Sequence, residues 1–115
     1  MGRLTTHILD TAHGRPAAGV VVRLYSLQGQ RSLLNTFHSN EDGRTDEPLL
    51  EGDSMQSGTY ELEFDIGDYF ATQDVAVSEP AFLTTVVIRF AVSSDQQYHV
   101  PLLASPWSYS TYRGS

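Results

Sequence analysis

An all-β sandwich is the fold this sequence predicts. About eight short apolar or alternating runs recur along its 115 residues, and Gly, Pro, Asn or Asp separates most of them. That rhythm belongs to stacked antiparallel sheets. Only one stretch reads as a short helix, too few for the crossovers of a parallel α/β sheet. Hydrophobic residues make up 40% of the chain, enough for one core and a single domain over residues 1–115.

The elements follow in order. Leu4 to Leu9 is β-branched and apolar and stops at Asp10, which makes it the first strand. Thr11 to Gly19 holds His13, Gly14, Arg15 and Pro16 and reads as a turn. Val20 to Tyr25 is the next strand, closed near Gln28-Gly29-Gln30, and Arg31 to Phe37 pairs with it as a hairpin. Asn40-Glu41-Asp42-Gly43 is a strong turn signal, followed at once by Arg44. Residues 46–57 are polar and read as a loop with a short strand.

Thr59 to Ile66 alternates cleanly. Tyr60, Leu62, Phe64 and Ile66 fall on one face and Glu61, Glu63 and Asp65 on the other, the pattern of a half-buried strand. The one helix is placed at Asp68 to Gln73. Phe82 to Val92 is a long strand with Val86, Ile88 and Phe90 on one face. Gln97 to Leu103 carries Pro101, which favours an edge or a bulge. Ser108 to Tyr112 is the last strand. Open sheets leave edges, and pairing them between subunits is a natural route to an oligomer.

Composition excludes several functions. The net charge is −7 and no basic cluster offsets it, so neither nucleic acid nor an anionic membrane is an expected partner. No apolar run approaches the roughly 20 residues of a membrane-spanning helix. There is no cysteine, hence no disulfide or thiolate chemistry, and no lysine, hence no Schiff base. The four histidines lack zinc-motif spacing, so no metal and no cofactor is expected. Gly-x-Ser-x-Gly is absent, which disfavours a serine nucleophile. A glycosidase pair among 14 acidic residues stays open, although none stands out from the strand faces. The first residues show no apolar signal core. A cytoplasmic location is expected, with the peroxisome or a trimmed periplasmic form as alternatives.

A few residues have chemistry worth weighing. His7 lies within the first strand; such a histidine is ordinarily a packing or surface residue, but its pKa near 6.5 suits a general base. Arg44 is either a solvated turn charge or a planar donor fork for a carbonyl-rich ring and its oxyanion. His99 faces away from Tyr98 and Val100, toward a core, an interface or a site. The last residues, Tyr112-Arg113-Gly114-Ser115, are richer than a frayed end needs to be. His13 and His38 are read as surface residues without a role.

Four motifs in order give these residues a context. They are Ile8-Leu9-Asp10 with Gly14-Arg15-Pro16-Ala17, then Asn40 to Arg44, then Tyr98 to Leu103 with Ser105-Pro106, and the Tyr-Arg-Gly-Ser ending. Together they resemble the transthyretin-related 5-hydroxyisourate hydrolases; the hormone carrier transthyretin lacks that ending. The resemblance implies a transthyretin-like sandwich of two antiparallel four-stranded sheets. It implies 5-hydroxyisourate as substrate and a homotetramer built as a dimer of dimers. It implies His7, Arg44, His99 and Ser115 as catalytic residues, with His7, Arg44, Tyr112 and Arg113 holding substrate. Many members read His-Tyr-His where Gln97 stands here, which puts the role of that first histidine in doubt. Two rivals remain: a transthyretin-like carrier of a small hydrophobic ligand, which wants an apolar channel, and a structural module, which predicts a monomer.

Overall fold

The computed structural model describes residues 2–114. Its first strand, β1 (Arg3–Asp10), buries Leu4, Thr6, Ile8 and Asp10 and turns Arg3, Thr5, His7 and Leu9 outward. Then follow β2 (Arg15–Pro16), β3 (Val21–Ser26), β4 (Ser32–His38), β5 (Leu50–Glu51), β6 (Gly58–Phe64), α1 (Ile66–Ala71), β7 (Val86–Val92), β8 (Gln97–Ala104) and β9 (Tyr109–Thr111). One sheet runs β2-β1-β8-β9 with β5 also paired to β1; the other runs β4-β3-β6-β7. Their inner faces share one core, in which Leu4, Ile8, Leu24, Leu62, Phe64 and Leu102 have no exposed surface. Burying each such side chain stabilises by about 1.5–3 kcal/mol.

The sandwich is the expected one, with differences that matter to the site. The first sheet has five strands rather than four, and it is mixed. Strands β1 and β8 run parallel, with Thr5 level with His99 and His7 level with Pro101. Parallel neighbours need a long connection, and here the entire second sheet supplies it.

Pro101 is not on an edge, because β8 lies between β1 and β9. It sits two residues after His99, whose backbone exchanges hydrogen bonds with Gly114 in both directions. Pro101 has no N–H to continue that ladder. The Thr111 hydroxyl instead donates to the Pro101 carbonyl at 2.7 Å, and β9 ends at Thr111.

The helix starts two residues earlier than expected. Ile66 continues the alternation of β6, but the Asp65 N–H donates to the Val21 carbonyl and the Asp65 carboxylate is clamped by Arg23, so the strand stops there. Ile66, Tyr69 and Phe70 are then buried at helical spacing. Strand β7 is shorter than the run from Phe82 suggests. The Gly67 N–H at the helix start bonds the Thr84 carbonyl, so this segment packs on α1 before joining the sheet.

Candidate active site

The outward face of β1 and β8 carries the site. Period-2 alternation puts Thr5 and His7 on that face, and the parallel register sets His99 beside Thr5. His99 faces away from Tyr98 and Val100, as expected. The His7 and His99 rings lie 6.4 Å apart, centroid to centroid, a gap that one small planar molecule spans.

The turn after β4 brings in Arg44. Asn40 organises it: its carbonyl accepts from Gly43 N–H, and its Oδ1 accepts from the N–H groups of Asp42 and Arg44. Gly43 has φ of 77°, a region that favours glycine. A Cβ there would sit 2.3 Å from the Ile8 carbonyl oxygen. The missing side chain lets the turn lie against β1, where Ile8 N–H donates to Gly43 at 2.7 Å and His7 bridges Arg44. His7 Nε2 then donates to the Asp42 carbonyl at 2.9 Å. A carbonyl only accepts, so Nε2 carries the hydrogen and Nδ1 keeps the lone pair of the neutral ring.

His99 is held on two sides. Its Nδ1 lies 2.9 Å from Thr5 Oγ1. On the other side stands Gly114, where a Cβ would come within 3.0 Å of His99 Cβ and 3.1 Å of Cδ2. Burial, and then the positive charge of Arg44 with the neighbouring His7 imidazole, holds the His99 imidazole below its ordinary pKa. His99 is therefore a neutral base near pH 7. Arg44 is exposed, and among the described residues its guanidinium makes no salt bridge. One face thus offers a neutral base, a second imidazole and a cation free to meet developing negative charge.

The tail divides. Gly114 docks on His99, which sets Tyr112 opposite Pro101, on the His99 face, and Arg113 opposite Val100, on the other. Tyr112 is exposed. Arg113 is not brought to the histidines. Its guanidinium lies 4.4 Å over the Tyr98 ring and donates to Gln96 Oε1 and the Gln97 carbonyl. Alternation decides this, since neighbours on an extended chain point to opposite faces. Ser115 lies outside the described residues. Gln97 is exposed at the head of β8, two residues before His99. Among the described residues no group of three or more His, Asp or Glu is placed to hold a metal ion.

Two features escaped the sequence reading. Thr5 belongs to the same alternation as His7, which was a usable signal, but its contact with His99 needs the β1–β8 register. His13 is not a plain surface residue: its Nδ1 pairs with the buried Asp10 at 2.7 Å, and the Tyr69 hydroxyl donates to the same carboxylate at 2.8 Å. This cluster ties the β1–β2 turn to α1.

Comparison with known proteins agrees with this fold. The 5-hydroxyisourate hydrolase 2 of Rhizobium meliloti (strain 1021) is 57% identical over 99% of this chain and 97% of its own. The structure of Klebsiella pneumoniae 5-hydroxyisourate hydrolase superposes with a TM-score of 0.82 at 32% identity, covering 100% of both chains. The structure of an (S)-allantoin synthase superposes with a TM-score of 0.94 at 44% identity, over 99% of this chain but only 44% of that longer one. The profile described as the HIUase/Transthyretin family matches residues 4–114, from β1 to the glycine against His99. The fold, the site-bearing strands and the tail as far as Gly114 fall within that match, and the chain belongs to the HIUase/Transthyretin family.

Proposed function

We propose that this chain hydrolyses 5-hydroxyisourate to 2-oxo-4-hydroxy-4-carboxy-5-ureidoimidazoline, a step of urate breakdown. The observation that carries the reading is the meeting of His7, Arg44 and a neutral His99 on one sheet face. His99 takes a proton from water. The hydroxide adds to a ring carbonyl, and Arg44 stabilises the oxyanion through its fixed donor fork. The cyclic amide C–N bond then breaks, and the proton held on His99 passes to the leaving nitrogen. His7, its Nε2 occupied by Asp42, offers Nδ1 to a substrate N–H. Tyr112 donates to a substrate carbonyl and Ser115 positions water, while Arg113 anchors the tail through Tyr98.

A carrier of hydrophobic ligands would need an apolar channel wall, and two imidazoles beside a guanidinium do not make one. Assembly as a dimer of dimers belongs to the same proposal. Strands β7 and β9 end their sheets, so each offers an edge to a second copy.

Ultraviolet decay of freshly generated 5-hydroxyisourate tests the reading, with intact protein and with a variant lacking Tyr112 to Ser115. Fast decay that collapses in a folded truncation of unchanged oligomeric size is expected. Decay no faster than in buffer with the intact protein would overturn it.

A further inference from the structure

We propose that Thr5 is a positioning residue for His99 and sets which ring nitrogen faces the water to be activated. The inference rests on the reading of His99 as the base and names a residue that acts through it. Thr5 Oγ1 lies 2.9 Å from His99 Nδ1, and this is the bond of its hydroxyl among the described residues. The contact is built into the sheet, because the parallel register places Thr5 directly beside His99 on the outward face. An imidazole has two nitrogens, and only the one without hydrogen accepts a proton. With Nδ1 turned to Thr5, the nitrogen left to face water is Nε2. It acts as a base only when Nδ1 carries the hydrogen and donates it to Oγ1.

The other side of His99 supports this assignment. The tail presses Gly114 against the imidazole, and its backbone bonds His99 in both directions. The ring thus sits between a hydroxyl and a glycine that fix its orientation; the hydroxyl can donate or accept, and the base role of Nε2 requires the direction in which Nδ1–H donates to Oγ1. No charged group is spent on the task. A carboxylate in place of Thr5 would raise the pKa of His99, against the depression that burial and Arg44 supply.

The test is Thr5→Val, which keeps shape and β-branching and removes the hydroxyl, with Thr5→Ser as the conservative variant. Turnover is measured alongside the ¹⁵N spectrum of His99 in wild type and both variants. Wild type is expected to show the Nδ1–H tautomer. In Thr5→Val, kcat is expected to fall roughly tenfold with KM little changed, the scale of one neutral hydrogen bond. The spectrum should move toward a mixture of tautomers, and Thr5→Ser should restore both readouts. An Nε2–H tautomer in folded wild type overturns the proposal whether or not a variant folds. So does a Thr5→Val protein whose His99 spectrum is unchanged, at any level of activity. If wild type shows the Nδ1–H tautomer and does not turn over 5-hydroxyisourate, the functional reading fails while the hold of Thr5 on His99 stands.

Discussion

The two sheets have polar outer faces of opposite character. On the β3–β6–β7 face every arginine meets carboxylates: Arg23 with Glu63 and Asp65, Arg31 with Glu61 and Glu63, and Arg89 with Glu61. Hydrogen bonds from Arg31 and Arg89 hold the Glu61 carboxyl below its usual range, and Arg23 does the same for Asp65. On the β1–β8 face Arg44 stands without a carboxylate among the described residues, beside a histidine pushed toward neutrality. Charge that is matched within the fold is structural. Charge left unmatched beside a neutral base is available to a substrate. The net charge of −7 hides this contrast.

Deleting one group from each face is the strongest attempt to break the comparison. Arg44→Ala is expected to lower kcat on the order of a hundredfold to a thousandfold, the usual loss of a preorganised donor. Its thermal midpoint should stay at the wild-type value; near-normal turnover would remove Arg44 from the site. Glu61→Gln should do the reverse. It is expected to cost about 1 kcal/mol, or roughly 4 °C in melting temperature, with kcat intact.

pH sharpens the same contrast. His99 works as a base only when neutral, and its folded pKa is depressed. Activity should therefore persist as pH falls past 6.5 and fail only below it. Removing the cation in Arg44→Ala should move this acid limb to higher pH, because the nearby charge that disfavours imidazolium is gone. A limb that does not move in the pH–rate profile would separate Arg44 from His99.

The smallest effect belongs to His13. Its pairing with Asp10, then the Asp74 carbonyl, raises its folded pKa above the ordinary 6.5. That stability is full below pH 6.5 and is lost as pH rises through the folded value. Burial works against Asp10, but hydrogen bonds from Tyr69 and His13 hold its pKa down, so its own share is lost only in acid, below 3.8. His13→Gln should flatten the loss of denaturant stability that sets in as pH rises above 6.5, without changing turnover.

What the sequence made legible was local. The run from Leu4 to Leu9 announced the strand that carries His7, and Asn40 to Gly43 announced the turn that delivers Arg44. Alternation also set His99 on the face opposite Tyr98 and Val100, though not whether that face was outward. Pairing partners were not legible. Thr5 and His99 are 94 positions apart, and no periodicity in either strand tells that they lie side by side. The register of the tail was equally hidden, so Tyr112 and Arg113 looked equivalent until Gly114 docked on His99 and sent Arg113 to Tyr98. His13 read as surface because Asp10 looked like the end of a strand rather than a buried carboxylate under Tyr69. The early start of α1 has the same origin, since Arg23 reaches Asp65 from another strand.

The central claim is that this chain breaks down 5-hydroxyisourate with His99 as the base. The most direct measurement is the progress curve of 5-hydroxyisourate loss at neutral pH for the intact protein and for His99→Gln, matched in concentration and melting temperature. The account predicts decay far faster than in buffer for the intact protein and near-buffer decay for the variant. Full-rate decay by a folded His99→Gln protein would contradict it.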